Sequence, residues 1–182
     1  MGDCYQVIAD LDAKLEEAEV VASRLREWMI AQEIIIPAKT DCVLSETHGH
    51  APGKNYAKAV KKESPFLFRL KTNGVHIISE RTVFYAAGDK ITLVCSACGA
   101  RFKSNDAWSE AVDDWYKAGG VGAYPCEVCG VKEPITEWKH DPPWAFGNVG
   151  LEFWNWPELR PEFIQQIGEV SGHRVRLVWG KI

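Results

Sequence analysis

The pattern Cys-x-x-Cys-Gly occurs twice, at residues 95–99 and 126–130, with 27 residues between Cys98 and Cys126. Two intervening residues let both thiolates of a pair reach one ion, and the glycine permits the tight turn whose amides point back at sulfur. Two such pairs supply the four ligands of a tetrahedral metal site. The sequence therefore predicts that one ion is bound by Cys95, Cys98, Cys126 and Cys129.

These cysteines resemble the four ligand positions of the zinc-ribbon class, and the resemblance covers only residues 90–135. The stretch between the pairs is long for a compact ribbon, so we expect the ribbon to be embedded in a larger fold. Zinc ribbons contact nucleic acids, contact proteins or simply support a fold, so the resemblance implies a shape but no role.

Three chemistries compete for the cysteine site. A closed site of four sulfurs has no open position for water or substrate, which favours a structural zinc ion. Rubredoxin-type iron proteins, in which a single iron shuttles an electron, have similar paired knuckles, so iron is an alternative. A redox dithiol is the third possibility, although neither pair clearly opens a helix.

The net charge of the chain indicates which kind of binding partner to expect. The chain has 21 Lys and Arg against 25 Asp and Glu, a formal net charge of −4, which argues against a protein that holds nucleic acid by bulk electrostatics. Four thiolates and one zinc ion would bring the charge to about −6. A basic protein partner is therefore expected.

No apolar stretch reaches the roughly 20 residues that span a bilayer, and the N-terminus lacks the pattern of a signal peptide. We expect a cytoplasmic protein that does not enter membranes. Its six cysteines would then stay reduced.

The N-terminal segment, residues 1–31, is predicted to be a long helix. Its apolar residues alternate in steps of three and four, so they fall on one stripe that packs on the domain or forms a dimer seam. The stripe consists of Ile8, Leu11, Leu15, Ala18, Ala22, Leu25 and Met29.

Residues 32–94 predict an antiparallel β-meander. Strands are expected at 33–36, 42–44, 66–70, 75–78, 82–86 and 91–94, with residues 45–56 as a loop. Asn73-Gly74 is predicted to form a tight hairpin turn, and Gly88-Asp89-Lys90 to separate the last two strands.

Ser104 or Asn105 can cap a helix between the cysteine pairs, closed by Gly119-Gly120. A strand at 149–156, a helix from Pro161 to Gly172 and a strand at 175–179 predict a C-terminal β-α-β unit. The chain is thus expected to be one α+β domain, residues 1–182. Its parts are an N-terminal helix (1–31), a β-meander (32–94), an embedded four-cysteine zinc ribbon with a helical insert (95–130) and a C-terminal β-α-β segment (131–182).

Two further clusters of side chains give weaker signals of a binding site. His48-Gly49-His50 suggests a second metal site, but no further ligand follows at a diagnostic spacing, so exposed loop histidines are expected. Lys54, Lys58, Lys61 and Lys62 form a local basic cluster, typical of a solvated face but compatible with nucleic-acid binding, together with Arg101 and Lys103.

Large aromatic side chains occupy both faces of residues 151–156. Burial on both faces would explain them, but tryptophan is also enriched at binding hot spots, so Trp154 and Trp156 are candidate partner-binding residues. No catalytic motif is recognisable. We therefore expect a non-catalytic, zinc-stabilised protein-interaction module that neutralises a basic toxin in the manner of immunity proteins. A nucleic-acid-binding ribbon protein, and an enzyme or rubredoxin-like electron carrier, remain alternatives.

Overall fold

The computed structural model describes residues 2–44, 48–86 and 91–182. The predicted connection at 88–90 and residues 45–47 of the predicted loop lie outside this range. The α-helices are α1 (Ala18–Ala31), α2 (Asp106–Ala118) and α3 (Pro161–Ser171). The strands are β1 (Cys4–Asp10), β2 (Ile35–Thr40), β3 (Gly49–Pro52), β4 (Val75–Ile78), β5 (Thr82–Phe84), β6 (Thr92–Val94), β7 (Arg101–Lys103), β8 (Ala123–Pro125), β9 (Lys132–Pro134), β10 (Lys139–Asp141), β11 (Ala145–Gly147), β12 (Val149–Trp154) and β13 (Val175–Lys181).

The largest sheet has six strands in the order β13-β1-β12-β4-β3-β2, and all paired neighbours are antiparallel. Helices α1 and α3 cover one face, where Leu151 and Phe153 of β12 pack in one cluster with Leu25 of α1 and Phe163 of α3. The opposite face holds a second cluster that includes Trp154 and Phe84. The α+β class is confirmed in this general form.

The prediction of one long N-terminal helix is wrong for its first part, because residues 4–10 form β1 and α1 begins only at Ala18. Strand β1 lies between β12 and β13 in the sheet, and both of its faces are covered: Ile8 packs in the cluster under α1 and α3, and Val7 and Ala9 pack in the cluster on the opposite face. Ile8 is also the first residue of the apolar stripe, so its spacing alone does not separate a strand from a helix. Asp10 ends the strand: its Oδ1 accepts hydrogen bonds from the amides of Asp12 (3.0 Å) and Ala13 (2.8 Å).

The predicted meander is only partly present. Strands β2, β3 and β4 are sequential neighbours, but β5 pairs with β11, and β6 pairs with β7 and β10. The expected strand at 66–70 is a 3-10 helix at Leu67–Arg69, residues 42–44 form no strand, and the loop predicted at 45–56 contains β3.

The predicted Asn73-Gly74 hairpin turn is also absent. The amides of Asn73 and Gly74 both donate to the carbonyl of Cys42, at 2.9 and 2.6 Å. A Cβ atom at Gly74 would collide with Cys42 Sγ, so this glycine allows a close approach of two segments rather than a tight turn.

The C-terminal strand, helix and strand occur as β12, α3 and β13, but β1 is inserted between the two strands. Since β1 is antiparallel to both, β12 and β13 run parallel to each other. Pro161 opens α3, and Gly172 closes it with a left-handed φ of 81°.

Candidate metal centre

Four cysteine sulfurs converge at one point of the structure. All lie within 4.8 Å of one another; Cys95 Sγ is 3.9 Å from Cys129 Sγ, and Cys98 Sγ is 3.7 Å from Cys126 Sγ. In a tetrahedral site with metal–sulfur bonds of about 2.3 Å, the sulfurs are about 3.8 Å apart. The arrangement therefore fits one tetrahedral metal ion, as the sequence predicts, and none of the cysteines is in a disulfide.

The two pairs have the same backbone geometry. Gly99 donates to the carbonyl of Cys95 at 3.0 Å, and Gly130 donates to the carbonyl of Cys126 at 2.9 Å. Both glycines have left-handed φ angles, 74° and 72°, which explains why each pair ends in glycine. Each turn closes a short hairpin, β6–β7 for the first pair and β8–β9 for the second.

Helix α2 and an aromatic cluster hold the two hairpins together. Asn105 caps α2: its Oδ1 accepts from the amide of Trp108 (3.0 Å) and the hydroxyl of Tyr124 (3.1 Å). The same side chain donates from Nδ2 to Glu127 in the second cysteine pair, at 2.8 Å. The buried cysteines, Cys95 and Cys126, belong to the cluster that contains Trp108, Trp115, Tyr124, Trp138 and Phe146.

The electrostatic surroundings differ from one sulfur to another. Backbone amides, first that of Cys129 and then that of Val128 (3.4 Å), donate to the sulfur of Cys126 and lower its pKa to about 7 against the effect of burial. At Cys98 the amide of Ala100 also acts to lower the pKa, but burial and the neighbouring thiols raise it to about 12. The thiols therefore do not all ionise together at neutral pH, and metal binding must release protons.

The distances do not distinguish zinc from iron, since both ions accept four thiolates in a tetrahedron. What the geometry does define is a site for a single ion in which four protein ligands occupy the coordination positions. Its chemistry suits structural support or electron transfer better than binding of a substrate to the metal.

Trp154 and Trp156, predicted as partner-binding residues, lie in the interior, each with 5% of its surface exposed. Trp154 packs on Tyr5, and Trp156 packs edge-on against Tyr56 and Phe153. This placement disagrees with an interface role, because neither indole offers a surface to a partner. Both faces of β12 are covered by apolar clusters, as expected if its aromatic residues belong to the core.

The basic cluster is partly neutralised within the fold. Lys54 pairs with Glu33 at 2.6 Å, and Lys61 forms an ion pair with Glu158. Near the first cysteine pair, Arg101 contacts Asp141 at 2.9 Å. These pairs reduce the positive charge available to a phosphate backbone.

His48 and His50 do not form a second cation site. Among residues 2–44, 48–86 and 91–182, only the four-cysteine group brings at least three potential ligand atoms within 4.8 Å of one another. The expectation of an exposed loop residue is wrong for His50, which lies on β3 with only 2% of its surface exposed. His50 is buried because β3 pairs with β2 and β4 in the large sheet. The local sequence is rich in turn-forming residues and does not indicate a strand there.

Sequence reasoning also missed the surroundings of His140. The ring lies beside Trp108 (5.3 Å between centroids), Phe146 (5.8 Å) and Trp144 (6.2 Å). Burial, with a smaller contribution from the charge of Arg176, lowers the pKa of His140 to about 3. The density of tryptophans was the only signal in the sequence.

Comparisons with known protein families, curated proteins and solved structures gave no significant match for this chain. Function must therefore be inferred from the site. None of the described helices has the length and apolar character needed to cross a membrane. The cytoplasmic location stays a prediction.

Proposed function

We propose that this protein is a non-catalytic protein-interaction module whose four cysteines hold a structural zinc ion, and that it binds a basic protein in the manner of an immunity protein. The observation that carries the proposal is the closed set of four sulfurs at tetrahedral spacing. A metal surrounded by four protein thiolates stabilises the surface around it instead of activating a water molecule.

The surface beside the metal suits a basic partner. Residues 91–141 contain eight acidic and five basic residues, and four thiolates with a zinc ion would add about two further negative charges. Val128, between the cysteines of the second pair, is 72% exposed. An exposed apolar side chain within an acidic surface can anchor a partner that electrostatic attraction brings in.

The metal is tested by elemental analysis of protein purified without added metal, comparing the wild type with Cys98→Ser and Cys4→Ser. Cys4 is an exposed cysteine outside the cluster and is the matched control. We expect about one zinc per chain in the wild type and in Cys4→Ser, and loss of zinc in Cys98→Ser. Iron with a coloured oxidised form would instead support the electron-carrier alternative.

A structural role also predicts local unfolding. Four of the eight tryptophans, Trp108, Trp115, Trp138 and Trp144, lie in or against the cluster around the cysteines, so fluorescence reports its melting. Cys98→Ser should lower the melting temperature of that signal, because the binding free energy of the metal contributes to folding. An unchanged melt would contradict the structural role.

The partner is tested by a pull-down from the native host with a nuclease-treated control. A nuclease-resistant basic protein at stoichiometric yield would support the proposal, and nucleic acid with steep salt dependence would favour the nucleic-acid alternative. Once a partner is found, Val128→Lys should weaken its binding at least about tenfold through loss of an apolar anchor and like-charge repulsion. Val20→Lys, at a 62% exposed position of α1, is the matched control and should bind normally.

A further inference from the structure

A cavity of about 560 Å³ opens between α1 and the β2–β3–β4 end of the large sheet, away from the cysteine site. One stripe of α1 lines it, with Glu19, Ser23 and Arg26 spaced so that they share a face. The sheet contributes Lys39 from β2 and His50 from β3. The volume is within the usual range of about 300–1,000 Å³ for small-molecule sites.

The two cations of this cavity have no carboxylate partner among the described residues: neither Arg26 nor Lys39 is within ion-pair distance of a carboxylate there. By contrast, Lys54, Arg101 and Arg174 each form an ion pair with an acidic side chain. Lys39 is directly opposite His50 in the β2–β3 register, so its side chain is on the same face of the sheet as the imidazole. The cavity therefore holds two cations, Arg26 and Lys39, beside two carboxylates, Glu19 and Glu80.

His50 presents a fixed hydrogen-bond acceptor. Its Nδ1 is 2.9 Å from the carbonyl of Ile36, which can only accept, so Nδ1 carries a proton. Burial, with the positive charges of Lys39 and Arg26, lowers the pKa of His50, and its ring is therefore neutral at pH 7. The remaining nitrogen, Nε2, is buried and has no hydrogen-bond partner. Such an atom is costly unless a donor reaches it.

We propose that this cavity binds a small oxyanion-bearing metabolite whose phosphate or carboxylate lies between Arg26 and Lys39 and whose hydroxyl groups face His50 and Glu19. Guanidinium and ammonium groups match the charge of an oxyanion, and the imidazole nitrogen and the carboxylate accept hydrogen bonds from hydroxyls. A sugar phosphate or a hydroxy acid has this combination.

A cation fits the cavity less well. Arg26 and Lys39 would repel it, and the histidines at the cavity do not converge. His48, His50 and His76 all line the cavity, but among the described residues no three potential ligand atoms come together there. The inference does not depend on the metal centre, and either can fail alone.

The test is a titration of the full-length, metal-loaded protein followed by NMR amide and histidine-ring shifts. The probes are inorganic phosphate, citrate and ribose 5-phosphate, with sodium chloride at matched ionic strength. We expect saturable shifts around residues 26, 39 and 50. Comparing the dissociation constants of phosphate and citrate identifies the preferred oxyanion. A lower dissociation constant for ribose 5-phosphate than for phosphate would show that the hydroxyl groups contribute to binding.

Arg26→Gln and Lys39→Gln should each weaken binding about tenfold or more, since each removes a charged hydrogen-bond donor. Lys62→Gln, at an exposed lysine outside the cavity, should bind as the wild type does. If Arg26→Gln does not fold, the affinity of Lys39→Gln provides the test, because Lys39 is exposed and its replacement should leave the fold intact. Absence of saturation at millimolar concentrations, or equal affinity of Lys39→Gln and the wild type, would overturn the inference.

Discussion

Replacement of Trp156 by alanine distinguishes a core residue from a partner-binding residue. The indole is 5% exposed, its Nε1 donates to the carbonyl of Asn73 at 2.7 Å, and its ring packs edge-on against Tyr56 and Phe153. Removing a buried tryptophan side chain costs about 3–5 kcal/mol through lost burial and the cavity left behind. This is a large part of the roughly 5–15 kcal/mol that stabilises a typical domain.

The magnitude can be divided with a second variant. Trp156→Phe retains most of the ring contacts but leaves the Asn73 carbonyl without its donor, which we expect to cost about 1–3 kcal/mol. Trp179→Ala is the matched control, because Trp179 is 51% exposed on the edge strand β13. Its loss should cost no more than about 1 kcal/mol.

The assay is urea denaturation followed by far-UV circular dichroism, which does not depend on the removed fluorophore. With an m-value of about 2 kcal/mol per molar urea, Trp156→Ala should lower the midpoint by about 2 M with no change in slope. A midpoint within about 0.5 M of the wild type would refute the core assignment, and loss of partner binding with an intact melt would restore the interface hypothesis.

Two further predictions concern the aromatic cluster beside the metal. The pKa of His140 falls from its ordinary value of 6.5 to about 3 on folding, so the contribution of this group to stability is present above pH 6.5, and about 2 kcal/mol of it is lost by pH 5 as the unfolded chain gains a proton. His140→Phe should make the urea midpoint less dependent on pH between pH 5 and 7, and a pH profile identical to that of the wild type would contradict the assignment. Asn105→Ala removes the cap of Trp108 and the contact with Glu127, and should cost about 1–2 kcal/mol in thermal unfolding. Asn105→Ser, which can still cap the helix, should recover part of this loss, and equal melts for both variants would show that the cap contributes nothing.

The metal site was predictable because its information is local. Each Cys-x-x-Cys-Gly segment defines its own turn, with a left-handed glycine at Gly99 or Gly130, and no distant residue is needed to shape it. The caps of α2 and α3 are local for the same reason: Asn105, Gly119 and Gly172 act within one turn of the helix they bound. These features follow from short segments, and the structure has them where the sequence places them.

Other features depended on partners far along the chain. Ile8 begins the apolar stripe at helical spacing, but residues 4–10 form a strand, which pairs with β12 and β13 along its two edges and is covered by an apolar cluster on each face. The aromatic residues at 154 and 156 could be surface or core until β5, β11 and the 3-10 helix at Tyr56–Lys58 were placed over them. Strand pairing at such separations cannot be derived from periodicity alone.

The sequence by itself determined which four cysteines come together, since the spacing within each pair and the glycine after it define the turns that carry the sulfurs. Only the tertiary structure decided which polar groups are buried, paired or left facing a cavity. Arg26 and Lys39 belong to no motif, His50 belongs only to the His48-Gly49-His50 segment, and the three meet because α1 packs against the β2 end of the sheet. A cavity is defined by the packing of elements distant in sequence, so its chemistry becomes visible only when the chain is folded.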